Sequence, residues 1–123
     1  MPRFTCPCCG YVVFHQPPGN YEVCPICYWE DDGVQVTDPW FDGGANTPNL
    51  VDAQRDFLRF GAMEERFVEH VRKPTRFDRK DARWRPVEES DRQFVTTPRE
   101  IEQMAKEGQS PVSYHYWIRR NDA

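Results

Sequence analysis

An α+β fold, with an N-terminal β-hairpin, a small helical body and a C-terminal strand in a single domain over residues 1–123, is predicted by three features of the sequence. Two C-x2-C pairs bracket a short run of β-formers, a capped helical pattern opens at Asn49, and an alternating aromatic run occupies residues 112–118. The expected divisions are a cysteine-clamped ribbon at 4–28, an acidic loop and two helices at 29–86, and a C-terminal helix and strand at 87–123.

The ribbon is argued from its cysteines. All 5 cysteines fall in the first 27 residues, and an odd number argues against a purely intramolecular disulfide framework. Cys6-Pro7-Cys8-Cys9-Gly10 and Cys24-Pro25-Ile26-Cys27 instead have the spacing of metal ligands, because two thiolates separated by two residues can reach one ion from a tight turn. Proline presets the turn, and Gly10 permits a positive φ after the second ligand. Tyr28 holds the corresponding position in the second turn, which is expected to be less ideal or differently shaped. Four thiolates from Cys6, Cys9, Cys24 and Cys27 make a closed tetrahedral shell, the signature of one structural zinc ion; iron in a rubredoxin-like role fits the same donors. Tyr11-Val12-Val13-Phe14 and Tyr21-Glu22-Val23 supply the strands between the turns, which completes a zinc-ribbon β-hairpin. Cys8 reads as a buried thiol outside the shell, with exchange for a neighbouring ligand or redox sensing as alternatives. His15 is near enough to substitute for a ligand, but four cysteines already fill the shell.

The helical body follows. Tyr28 and Trp29 are expected to pack between ribbon and body, and Glu30, Asp31 and Asp32 to form a solvated or partner-facing acidic turn, with a catalytic metal site as the alternative. Residues 38–46 read as a loop, whose Gly43-Gly44 step matches no phosphate-binding fingerprint. A helix from Asn49 has Leu50, Ala53, Phe57, Leu58 and Phe60 on one side, with Asn49 or Thr47 as cap and Gly61 as stop. A second helix is read over 63–71 from Met63, Phe67 and Val71, with His70 on its surface and Pro74 beyond its end. Thr97-Pro98-Arg99-Glu100 is a capping box that opens a short helix ending at Gly108, before the closing strand.

Composition narrows the function. Hydrophobic residues make up 38% of the chain, but 8 Phe, 5 Tyr and 4 Trp can build an aromatic core. No stretch is apolar enough to span a bilayer, and the first residues lack the apolar region of a secretory signal, so a soluble cytoplasmic protein is expected. The net charge of −4 is uneven: residues 1–54 carry one basic and seven acidic side chains, and 55–86 carry ten basic and six acidic. The Arg-rich segment around Trp84 raises the alternative of nucleic-acid binding, against which stands a pI of 5.4. A closed metal shell and the lack of a nucleophile, base and orienter set argue against an enzyme.

Cys6-Pro7-Cys8-Cys9-Gly10, Cys24-Pro25-Ile26-Cys27-Tyr28-Trp29-Glu30-Asp31-Asp32, Gly43-Gly44-Ala45-Asn46 and Leu50-Val51-Asp52-Ala53-Gln54-Arg55 together resemble the bacterial cysteine-rich CPCC family, over roughly residues 4–86. The resemblance implies metal binding by the cysteines. It also implies a role in polymorphic toxin systems, as an immunity protein that neutralises a toxin by binding it, and the Glu30-Asp31-Asp32 run agrees with an acidic surface directed at a nuclease.

Overall fold

The computed structural model describes residues 2–95, 98–108 and 115–121. Strands β1 (Phe4–Thr5) and β2 (Val12–Phe14) pair antiparallel, with Phe4 opposite Phe14, Thr5 opposite Val12 and one irregularity between the two pairs. The outer edge of β2 is covered by a segment distant in sequence. Val12 N–H donates to the Arg79 carbonyl at 2.8 Å, Tyr11 bridges Lys80, and Asp81 N–H donates to the Gly10 carbonyl at 2.8 Å. A basic loop thus satisfies an edge that would otherwise present unpaired backbone groups.

Beyond the second cysteine pair, α1 (Gly33–Thr37) starts at Asp32, whose carboxylate accepts from Val34 N–H at 2.8 Å. The following loop is organised by a fully buried amide. Gln35 Nε2 donates to the carbonyls of Phe41, Asn46 and Pro48, while its Oε1 accepts from the Asn46 backbone and side chain. Asn46 in turn pairs with the Glu30 backbone in both directions at 2.8 Å, standing in for a missing strand. Gly44 must lack a side chain here, because a Cβ would lie 2.5 Å from Gln35 Cδ. Of the Gly43-Gly44 step, Gly44 is therefore the closely packed residue, while a Cβ on Gly43 would meet nothing within 4 Å.

Helix α2 (Leu50–Phe60) is capped by the Asn49 side chain, which accepts from Asp52 N–H, and ended by Gly61 at φ 83°. Leu50, Ala53 and Gln54 are buried, but Leu58 is 81% exposed, contrary to its expected place on the inner face. At about 100° per residue it has turned roughly 80° away from Leu50, off the buried stripe. The second helix is a 3-10 helix over Glu65–His70 with no side-chain cap. Its Phe67 packs on Tyr28, ring centroids 4.6 Å apart, so Tyr28 does join ribbon to body.

The C-terminal third adds a 3-10 turn over Glu89–Phe94, and α3 (Pro98–Lys106) where the capping signature places it. Thr97, its expected cap, lies outside the described residues. Gly108 follows at φ 74°. Tyr116–Asn121 forms α4, not the end of a strand; residues 112–114 of that expected strand lie outside the described residues. Tyr116 and the adjacent Trp117 are both buried, and a strand would have turned one of them outward. Tyr116 hydroxyl donates to the Arg85 carbonyl and accepts from Gln54 Nε2 at 2.9 Å, tying α4 to α2. One buried cluster runs from the cysteines through Trp29 and Leu50 to Trp117, which fits the α+β class with a hairpin on a helical body. Among the described residues no helix is long and apolar enough to cross a membrane.

Candidate metal centre

The two C-x2-C turns fold into knuckles with the same backbone wiring. Gly10 N–H donates to the Cys6 carbonyl at 2.8 Å, and Tyr28 N–H donates to the Cys24 carbonyl at 2.9 Å. Cys6 N–H reaches the Tyr11 carbonyl at 2.9 Å, and Cys24 N–H reaches the Trp29 carbonyl at 2.8 Å. Both residues after the second cysteine are left-handed, Gly10 at φ 82° and Tyr28 at φ 73°. The second turn is therefore not differently shaped, as its missing glycine suggested. Tyr28 adopts the same conformation, with its ring packed on Phe67.

The knuckles bring the Sγ atoms of Cys6, Cys9, Cys24 and Cys27 within 4.8 Å of one another, all four side chains buried. Cys6 and Cys27 sulfurs are 3.5 Å apart, and Cys9 and Cys24 sulfurs 3.8 Å. A regular tetrahedron with metal–sulfur bonds of about 2.3 Å has sulfurs about 3.8 Å apart, so the donor set fits one four-coordinate ion. No disulfide competes, because all five cysteines are free. Burial pushes the Cys6 and Cys27 thiols well up. Burial opposes ionisation of Cys24 too, but hydrogen bonds from Cys27, Cys6 and Cys9 draw it well below the ordinary thiol range. Ile26 and Cys27 N–H groups also point at the Cys24 sulfur, at 3.3 and 3.4 Å. A dication held by the four sulfurs would supply the charge that offsets ionisation of Cys6 and Cys27.

A family model described as cysteine-rich CPCC matches residues 4–78. The chain belongs to that family. The match takes in both knuckles, α1, α2 and the 65–70 turn, and stops just before the segment that covers β2. No curated protein matches the chain.

Around the CPCC centre, Cys8 is buried but stands outside the four-sulfur group, and burial raises its thiol. His15 is also outside it, exposed and paired with Glu22 at 3.3 Å. The acidic run departs most from expectation. Asp31 is only 1% exposed and its carboxylate accepts from Gly19 N–H at 2.9 Å; Asp32 caps α1 and accepts from Ala45 N–H at 2.8 Å. Only Glu30 keeps partial access to solvent. The Asp31 and Asp32 carboxylates bind backbone amides within the fold, so the exposed acidic surface expected of Glu30, Asp31 and Asp32 is not what the chain builds.

Support for the first knuckle comes from residues that sequence reasoning did not connect with it. The Pro7 carbonyl accepts from Gln54 Nε2 and from Trp84 Nε1, both at 2.9 Å. Trp84 also fills the space over Gly10, where a Cβ would lie 2.6 Å from its ring. The one available signal was Trp84 itself, a large ring in an otherwise polar stretch.

Proposed function

We propose that this CPCC protein is a non-enzymatic binding module whose fold is held by one zinc ion, and that it acts as an immunity protein that occludes a bacterial toxin in the cytoplasm. The observation that carries the first part is the buried four-sulfur cluster, which leaves no open position at which an ion could activate water. Zinc is favoured among metals because four cysteines in a closed tetrahedron are the donor set of structural zinc sites. The immunity role rests on the resemblance to CPCC proteins of polymorphic toxin systems, and such a role requires surface and no chemistry of its own.

With Asp31 and Asp32 buried, the contact is better placed on side chains the fold leaves in water. Phe77 is 83% exposed, and the Arg76 guanidinium lies over its ring at 4.9 Å. Aromatic residues and arginine are the side chains that most often anchor protein interfaces. The test pairs elemental analysis of the purified chain with inhibition of the toxin encoded beside it. One zinc per chain is expected, together with stoichiometric inhibition that Phe77→Ala weakens about tenfold without changing zinc content or Tm. A chain that carries zinc yet neither binds nor inhibits that toxin rejects the immunity role and leaves the metal reading standing.

A further inference from the structure

A second site lies beside the ribbon. The strands β1 and β2, the 79–83 segment docked on β2 and the start of α4 enclose a cleft of about 350 Å³, within the size range of small-molecule sites. Four cationic side chains line it, Arg3, Arg79, Lys80 and Arg83, against one carboxylate, Asp81. That carboxylate is already committed. It accepts from the Thr5 hydroxyl at 2.7 Å and from Arg83 N–H at 2.9 Å, and these contacts outweigh burial and hold it below its usual range.

His115 lines the same cleft. It is 2% exposed, its ring stacks on Trp117 at 4.2 Å, and its Nε2 has no hydrogen-bond partner among the described residues. A buried, unpartnered ring nitrogen costs free energy that a hydrogen-bonding ligand would recover. Burial keeps the ring neutral by pushing its pKa down to about 3, so Nε2 can carry its proton and donate it in a hydrogen bond. Neither Arg3 nor Arg79 has a side-chain ion pair among the described residues.

We infer that this cleft binds a phosphate monoester, its oxygens received by Arg3, Arg79, Arg83 and His115 Nε2 and its organic group lying against Phe4, Val12 and Ile118. Guanidinium groups suit phosphate because their N–H groups match two oxygens at once, and an excess of three positive charges suits a dianion better than a single carboxylate. Lys80 contributes charge from the rim, since its ammonium lies over the Tyr11 and Trp84 rings. The backbone bonds from 79–81 to the ribbon hold the cationic segment in place before a ligand arrives, which lowers the ordering cost of binding. The site is independent of the immunity reading and shares with it only the metal-held ribbon.

The test is calorimetric titration of the zinc-loaded full chain with inorganic phosphate, 5′-AMP and adenosine at low salt. Short oligonucleotides with a 5′-phosphate or a 5′-hydroxyl serve to separate a free ligand from a nucleic-acid end. Saturable binding of phosphate and tighter binding of 5′-AMP are expected, with none of adenosine. Arg79→Gln and Arg83→Gln should each weaken binding about tenfold, the loss of one charge-assisted contact, while Arg55→Gln on α2 should not. The His115 Nε2 resonance should shift on saturation. A 5′-phosphorylated oligonucleotide that outcompetes 5′-AMP would name a nucleic-acid end as the source, and one that binds more weakly would name a free metabolite. Equal binding of the 5′-hydroxyl oligonucleotide, an unmoved Nε2 resonance, or equal loss in Arg55→Gln would each overturn the proposal.

Discussion

The two knuckles have the same backbone and different means of support, side chains holding the first and backbone groups the second. Both close with an N–H to the first cysteine's carbonyl and both place a left-handed residue after the second cysteine. The first is backed from a distance: Trp84 and Gln54 hold the Pro7 carbonyl, and the Trp84 ring occupies the space where a side chain on position 10 would go. The second has a local clasp, in which Val23 bridges Glu30 and the Asp31 carboxylate holds the loop at Gly19, and distant backbone support, since Arg72 N–H donates to the Pro25 carbonyl at 3.1 Å and Met63 N–H to the Cys27 carbonyl at 2.7 Å. Its left-handed residue carries a ring that packs on Phe67 and lies 5.4 Å from His70. The geometry demands a left-handed backbone at both positions, but only the neighbours decide whether that residue must be glycine.

The largest effect should come from breaking the site both knuckles share. Cys6→Ser in the first and Cys27→Ser in the second should each abolish metal binding, at a cost on the order of 10 kcal/mol of coupled folding free energy, and lose the ribbon's thermal transition. Cys8→Ser should retain full occupancy, since Cys8 lies outside the four-sulfur group. Elemental analysis and calorimetry check all three. An unchanged transition in a metal-free Cys27→Ser chain would mean that hydrogen bonds and packing alone hold the second knuckle.

Next in size is Gly10→Ala. A left-handed alanine costs about 1–2 kcal/mol and forced overpacking about 1–3 kcal/mol, so a loss of about 2–5 kcal/mol is expected from denaturant unfolding. Repeating the substitution with Trp84→Ala tests the cause, because removing the ring should return the overpacking part. Additive losses would show that Trp84 does not set the glycine requirement.

The four-cysteine cluster was legible in the sequence because spacing alone constrains where thiols can meet, and the α2 boundaries were legible because Asn49 and Gly61 state them locally. What the sequence hid was long-range or polar. Gln35 and Asn46 look like loop residues, yet they fill the backbone hydrogen bonds of a segment that has no strand beside it. Asp31 and Asp32 look like surface charge, and nothing local reveals that amides from Gly19 and Ala45 point at them. Tyr116 and Trp117 alternate like a strand until the partners of both rings are known.

The local clasp of the second knuckle gives a pH effect. Burial, the largest influence on Asp31, raises its pKa from 3.8 to about 6 despite the Gly19 and Asn20 amides, and its Oδ1 is buried without a partner among the described residues. A carboxyl whose folded pKa exceeds its unfolded pKa favours folding fully below about pH 4, and that contribution is lost as pH rises through about 6. Two units amount to at most about 3 kcal/mol. Asp31→Asn keeps one acceptor for the amides and cannot ionise, so it should gain stability on the wild type from pH 4 to 7. Cysteine protonation weakens metal binding in both proteins, so the quantity to measure is their difference in unfolding free energy at each pH. A difference flat across that range would show that Asp31 titrates as an ordinary carboxylate.

The smallest effect is the sharpest test of the comparison. Tyr28 holds φ 73° while keeping a side chain, so it bears a conformational cost that Gly10 does not. Tyr28→Gly and Tyr28→Ala both remove the ring contact with Phe67, and that common loss cancels between them. What remains is the backbone. At an ordinary position glycine is less stable than alanine by about 0.5–1 kcal/mol, because the unfolded chain has more freedom to lose. Here the order should invert, with Tyr28→Gly the more stable by about 1 kcal/mol, since only alanine must be forced into the left-handed region. Denaturant unfolding of the two zinc-loaded variants resolves a difference of that size and its sign. If alanine proves the more stable, the second knuckle does not impose the conformation that its hydrogen bonds share with the first, and position 28 relaxes once the ring is gone.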